Sequence, residues 1–387
     1  MIEREYYFDN SATTKISPKA LTAVNDAYEN FGNPSSLHKK GADAAKRIRS
    51  ASISVAKLLN SDGKGSIVFT SGGTEANNIA ILGGFYSKKR KCDDTVMITD
   101  SEHASVEIPA QKLEKEGYKI IRVPTKGGKL DIDFVRENLT PSLVLASFMS
   151  VNNETGAVYN VSEAFSIIKR FDPDIITHTD AVQAFGKIKL DAGRMNADMI
   201  SVSSHKICGP MGAGALYISK ETVRAKRISP IFFGGGQQND LRSGTENLPA
   251  ILGFAAACDE AYLSFKSNTD TMQDVRTYLV ERLSELNVKI NSPVSFAPHI
   301  VNITLPGIKS EVMLHFLSAK NIYISGGSAC SSNHPAISRA LKAFGLSDFD
   351  ADCSVRISLS YLNTKDEVDF LIDNLSDGIS SLIKRKR

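Results

Sequence analysis

The sequence holds no apolar run approaching the roughly 18 residues that a bilayer-spanning helix needs, so no transmembrane segment is expected. It holds no G-x-x-x-x-G-K-[ST] phosphate loop, no C-x-x-C pair, no internal repeat and no low-complexity stretch. Its five cysteines, at 92, 208, 258, 330 and 353, are odd in number and scattered. That pattern gives neither a disulfide frame nor a zinc site. Charge of one sign is scarce as well: Lys and Arg number 46 against 43 Asp and Glu, a net +3, too little to argue for a nucleic-acid partner. Two short basic runs, residues 88–91 and 384–387, read as solvated loop and helix ends. The N-terminus, Met1-Ile-Glu-Arg-Glu, carries acidic residues and no apolar core, so no signal peptide is expected and the protein is read as cytoplasmic.

What is present is an ordinary globular composition, 42% hydrophobic and 23% charged over 387 residues, enough for a sizeable core. At roughly 150 residues per domain the length suggests two or three domains. Short apolar runs at 66–70, 95–99, 118–123, 143–148, 175–180 and 198–203 read as strands. Helical patterns lie between them, such as 41–59 and 161–170, the first with Ala44, Ile48, Ala51 and Val55 along one face. Strand and helix in alternation predict an α/β sheet covered on both faces. From about residue 258 the character changes. A long helical region reaches residue 286, and strands are expected at 300–305, 321–325 and 354–360. The final helix opens on the capping box Thr364-x-x-Glu367. The expected organisation is a large domain over 15–258 and a smaller α+β domain formed by 1–14 and 259–387.

In open α/β sheets ligands sit beyond the carboxyl ends of the strands. That rule gathers Gly73, Thr74, His103, Asn153, Asp180, Gln183, Ser203, His205 and Lys206 at one rim, because each follows a strand closely. Ser71-Gly72-Gly73-Thr74 entering a helix makes an anion seat of bare N–H groups. A lysine at one strand end, an aspartate at another and a histidine at a third, beside a phosphate seat, are the parts that hold pyridoxal phosphate. The lysine links to its aldehyde, the aspartate pairs with the ring nitrogen, and a flat side chain covers the ring. Asp180 and His178 share a strand face but lack a third ligand of comparable spacing, so no metal site is expected.

The ordered set Thr70-Ser-Gly-Gly-Thr-Glu-Ala-Asn-Asn, Ser101-Glu-His103, Val151-Asn-Asn-Glu, Thr179-Asp-Ala-Val-Gln183, Ser203-Ser-His-Lys206, Arg242-Ser-Gly-Thr-Glu-Asn and Gly326-Gly-Ser-Ala-Cys330-Ser-Ser resembles the cysteine desulfurases of the class V aminotransferase group. The resemblance runs from Tyr7 to about Leu359. It implies a fold-type I enzyme of pyridoxal phosphate, with a large, mainly parallel seven-stranded sheet domain and a smaller α+β domain. It also implies that Lys206 holds the cofactor and moves the substrate Cα proton, that Asp180 pairs with the ring nitrogen, and that His103 stacks on the ring as acid or base. Gln183 would bond the phenolic oxygen, while Gly73, Thr74, Ser203 and His205 would hold the phosphate. Thr245 would reach in from the partner subunit of a homodimer. Asn153 would lie near cofactor and substrate, and Arg356 would grip the carboxylate of L-cysteine.

Cys330 then carries the reaction: its flanks, Gly326-Gly-Ser-Ala and Ser331-Ser-Asn, are small and polar, a seat for an accessible thiolate. It would receive the substrate sulfur as a persulfide and pass it to an acceptor protein, leaving L-alanine. Cluster assembly, tRNA thiolation and a dedicated pathway all remain open for that acceptor, because the chain ends at Arg387 soon after the last helix. Cys208 stands two residues beyond Lys206, where a bulky apolar or aromatic residue is expected, and is read as packing. Rival readings are a selenocysteine lyase or another class V aminotransferase-like enzyme, and a non-catalytic binding protein of the same fold. Neither DNA nor a membrane is an expected partner.

Overall fold

A computed structural model of the protein describes residues 4–61, 63–91, 93–292, 296–326 and 337–384. Cys330 therefore lies outside the described residues. The chain opens with β1 (Tyr6–Tyr7) and then builds one sheet from β2 (Ser66–Thr70), β3 (Thr95–Thr99), β4 (Lys119–Val123), β5 (Leu143–Ser147), β6 (Ile176–Asp180), β7 (Met199–Ser203) and β8 (Gly214–Ile218). Their order across the sheet is β2-β8-β7-β6-β5-β3-β4. Strand β8 runs antiparallel to both of its neighbours, and every other pair is parallel.

Each strand feeds two cores by simple alternation. Val68, Val96, Ile98, Leu145, Met199 and Leu216 pack on one face, together with Val106 and Leu113 of the helix Ala104–Lys115. Phe69, Met97, Ala146, Ile200, Ala215 and Tyr217 pack on the other, against the helices Pro18–Glu29, Lys39–Leu58, Val161–Phe171 and Leu248–Leu263. With both faces covered, β3, β6, β7 and β8 are buried from end to end, which is why β3, β7 and β8 read as continuous apolar or small runs.

Strand β8 was not expected from the sequence, and the helix at its far side starts earlier than expected. The approach to β8 is a glycine run. A Cβ at Gly214 would lie 2.7 Å from Gly72 Cα and 2.8 Å from the Val202 carbonyl oxygen. Backbone packed that tightly demands glycine, and glycine hides a strand from pattern reading. The helical region expected from residue 258 is two helices, Leu248–Leu263 and Phe265–Ser284, bent by 75° at Ser264. Asn247 caps the first by accepting from the Ala250 N–H, with Pro249 in its first turn. No single helix among the described residues is long and apolar enough to cross a membrane.

A second body follows from β9 (Lys289–Ile290), β10 (Ile300–Thr304), β11 (Ile322–Tyr323) and β12 (Ser354–Ser358). Strands β9, β10 and β12 form an antiparallel sheet in the order β12-β10-β9, and β11 pairs in parallel with β1. Val301, Ile303, Val355 and Ile357 pack with Leu371, Leu375 and Ile379 of the last helix, Lys365–Lys384. The capping box is present: Thr364 Oγ1 accepts from the Glu367 N–H at 3.3 Å, and Glu367 Oε2 accepts from the Thr364 N–H at 3.4 Å. The N-terminal segment ties the two bodies together. Phe8 is fully buried in the second core, whereas Thr14 N–H donates to the His205 carbonyl beside the large sheet.

Candidate active site

The sheet ends, the N-terminal segment and β12 enclose a cavity of about 200 Å³. Because β8 alone runs the other way, the carboxyl ends of β6 and β7 and the turns after β2, β3 and β5 open on one rim. Gly73, Thr74, His103, Asn153, Asp180, Gln183, Ser203, His205, Lys206 and Arg356 all line it. Thr245 does not line this cavity and is exposed. Arg242 pairs with Glu75, Nε to Oε1 at 2.7 Å. It anchors its loop to the helix Gly73–Asn78.

Asp180 closes β6 with its carboxylate held on both oxygens. Oδ1 accepts from the Val182 N–H at 2.9 Å, and Oδ2 accepts from Asn77 Nδ2 at 2.7 Å. The same Asn77 amide donates to Ser105 Oγ at 2.8 Å, and Ser105 Oγ lies 2.8 Å from His103 Nδ1. His103 is the N-cap of the helix Ala104–Lys115, its Nδ1 accepting from the Ser105 N–H at 3.2 Å. An Nδ1 that accepts a backbone proton leaves the ring proton on Nε2. A continuous polar path thus joins the ring to the carboxylate. The sequence signal for Asn77 was its position four residues past Gly73, one helical turn on; Ser105 gave no signal beyond following His103.

Lys206 Nζ donates to the carbonyls of Ser11 and Ala12, at 2.5 and 2.6 Å. Gln183 Nε2 donates to that same Ser11 carbonyl at 3.0 Å. Its Oε1 lies 3.3 Å from His299 Nε2, and burial holds the His299 ring neutral, far below its ordinary titration. The His205 ring is pushed down to about 4, by burial first and then by the charges of Lys206 and Lys187, so it is neutral at physiological pH. Its Nδ1 lies 3.2 Å from Thr13 Oγ1. Ser203 Oγ is buried with no hydrogen-bond partner among the described residues, an arrangement a native fold does not keep without a ligand or water.

Arg356, 2% exposed, reaches the cavity from β12. Nη1 donates to the Asn153 carbonyl at 2.9 Å and Nη2 to Asp9 Oδ1 at 2.7 Å. The fork expected for a substrate carboxylate is therefore engaged by Asp9, a residue that sequence reading missed, and gripping a carboxylate means exchanging that partner. Behind the rim, Glu102 is buried and its carboxyl is pushed up to about 8, by desolvation first and then by the Asp180 charge. Glu102 is thus the neutral carboxyl behind the rim.

An amine, a hydrogen-bonded carboxylate, a flat imidazole and an unpartnered buried hydroxyl beside a glycine-led helix start are the donor set that pyridoxal phosphate needs. The residues fit that group.

Comparison with known proteins agrees. The family model for aminotransferase class-V matches residues 6–371. A cysteine desulfurase IscS of Clostridium botulinum is 35% identical over 393 aligned positions, covering 100% of this chain and 96% of that protein. A NifS/IcsS protein homolog of Lactobacillus delbrueckii is 39% identical over 95% of each chain. Among solved structures, a NifS-like protein superposes with a TM-score of 0.90 at 31% identity, over 97% of this chain and 100% of its own. The chain belongs to the class-V aminotransferase family.

Proposed function

We propose that the protein is a pyridoxal phosphate-dependent cysteine desulfurase. It converts L-cysteine to L-alanine, leaving a persulfide on Cys330 for transfer to an acceptor protein. The observation that carries this reading is the convergence of Lys206, Asp180, His103 and Ser203 on one cavity also lined by Arg356. Full-length relatives named cysteine desulfurase support it.

Bound pyridoxal phosphate supplies an aldehyde and an electron-withdrawing ring that weakens the substrate Cα–H bond. Lys206 Nζ holds the aldehyde and afterwards moves the Cα proton. Asp180, fixed by Asn77 and Val182, keeps the ring nitrogen protonated. His103 covers the ring and holds a transferable proton at Nε2, the nitrogen its cap role leaves free to carry one. Gly73, Thr74, Ser203 and the neutral His205 hold the phosphate, with Thr245 of a second copy completing it in a homodimer. Gln183 donates to the phenolic oxygen. Arg356 and Asn153 position the substrate carboxylate. The Cys330 thiolate attacks substrate Sγ; the carbon–sulfur bond breaks with its electron pair left on the carbon side, which takes up a proton and departs as alanine.

In this reading residues 15–258 hold the cofactor, and 1–14 with 259–387 carry Arg356 and Cys330. The setting is the cytoplasm, and the sulfur feeds cluster assembly or another sulfur-consuming pathway. The test is incubation of the purified enzyme with L-cysteine, scoring alanine and locating the added sulfur by mass spectrometry. Cys330→Ala should form neither persulfide nor alanine above background, and an unchanged alanine rate in that variant sinks the mechanism. A selenocysteine lyase would act on selenocysteine and spare cysteine. A non-catalytic binding protein would show no visible cofactor band and gain no mass at Lys206 after borohydride reduction.

A further inference from the structure

A second cavity lies on the far side of Lys206. It measures about 40 Å³ and is lined by Lys187, Lys206, Cys208, Glu260, Ser360 and Tyr361 among others, so Lys206 is a wall shared with the main site. The remaining walls, including Ala257, Ala261, Met272 and Leu359, are apolar. The small side chain of Cys208 helps to leave this space. That residue is held at φ 64° with its N–H donating to Thr14 Oγ1 at 2.8 Å and its carbonyl accepting from the Ser17 N–H at 2.8 Å.

Lys187 is 5% exposed, and its Nζ is buried with no hydrogen-bond partner among the described residues. The other charged groups around it do not supply one. Lys206 is of like sign and donates to Ser11 and Ala12. Arg356 is spent on Asp9 and Asn153. Glu260, the one carboxylate on the cavity wall among the described residues, accepts from Ser17 Oγ and lies 4.0 Å from Lys19. Tyr361 is neutral, its phenol kept above the usual range by burial and by the Cys208 thiol beside it, and His299 is neutral too. A buried ammonium needs a countercharge, and none of these groups provides it.

We propose that this cavity is a binding site for one small monovalent anion of halide size, held by the Lys187 ammonium on a wall shared with Cys208 and Tyr361. The volume admits a single ion and excludes carboxylates with a carbon chain, nucleotides and lipids. An anion here fixes the charge state of Lys187 and so the field on Lys206 across the shared wall. The site is independent of the desulfurase reading: it follows from the cavity and the unpaired amine whatever the reaction is. Burial lowers Lys187 to about 7, so occupancy rises as pH falls through neutrality and the amine takes up a proton with the ion.

Bromide is the probe. Crystals of the cofactor-loaded enzyme soaked in sodium bromide on the acid side of neutrality should show an anomalous peak beside Lys187 Nζ. In solution, bromide NMR line broadening should titrate with the same pH dependence. Lys187→Met, which keeps the side-chain length and removes the charge, should abolish the peak and weaken the titration at least ten-fold. Cys208→Leu, which keeps the charge and fills the space, should do the same and stands in if the first variant fails to fold. A wild-type cavity with no anomalous peak, or a peak of equal strength in both variants and therefore adventitious, overturns the proposal.

Discussion

The neutral state of Glu102 can be tested directly. Its Oε1 accepts from Thr99 Oγ1 at 2.7 Å and from the Met149 N–H at 2.8 Å, while Oε2 is buried with no partner among the described residues. Moving a carboxyl from 4.5 to about 8 corresponds to a preference of about 5 kcal/mol for the neutral form. Between those values the folded protein holds a proton that the unfolded chain has released. Stability therefore falls as pH rises through this window, with about 5 kcal/mol as the ceiling. Glu102→Gln keeps the acceptor toward Thr99 and Met149 and cannot ionise. Neither hydrogen of its amide nitrogen finds a partner at the Oε2 position, which costs about 1–3 kcal/mol at every pH. The diagnostic is thus the slope and not the offset: relative to wild type, the variant should gain a few kcal/mol between about pH 5 and about pH 8. Urea unfolding of the cofactor-free protein across that range reads it. Parallel pH profiles for the two proteins would refute a neutral Glu102.

Other expectations follow from single contacts. Asn77→Ala removes the amide that braces Asp180 Oδ2; losing a hydrogen bond to a charged group, about 1.5–3 kcal/mol, should weaken cofactor binding by roughly 10- to 100-fold in a fluorescence titration. Arg356→Lys keeps the charge but loses the fork that spans Asp9 and the Asn153 carbonyl; KM for cysteine should rise by about ten-fold or more, with kcat less affected. Gly214→Ala drives a Cβ into the Gly72 turn at 2.7 Å, so the variant should lose stability by more than the usual ~1 kcal/mol of a point change and bind cofactor poorly. Thr364→Ala removes half of a capping box and should cost only about 1 kcal/mol, without touching the cofactor.

Much of the site was legible because the sheet imposes one rule. Residues that follow parallel strands by a few positions share a rim, and Asp180, Ser203, Lys206 and His103 needed nothing more. Strand β8 was illegible because its entry is glycine chosen for backbone clearance, and the early start of the Leu248–Leu263 helix was hidden by its nearly uniform apolar and alanine-rich sequence. Pattern reading works where one face is polar; a helix buried against Pro18–Glu29 and Lys39–Leu58 has little polar face to show.

The sequence by itself determined the alternation of strands and helices, the capping box at Thr364, and the residue types a cofactor requires, because local periodicity and local hydrogen bonding encode those. Only the tertiary structure decided which partners those residues meet. Asn77 braces Asp180 from the helix that follows β2, Asp9 occupies the Arg356 fork from 347 residues away, and the Ser11 carbonyl is shared by Lys206 and Gln183. Lys187, an ordinary lysine in sequence, becomes a buried amine without a counter-ion only when Cys208 and Tyr361 close over it. Desolvation and long-range pairing depend on what the fold brings near, and no local pattern carries that information.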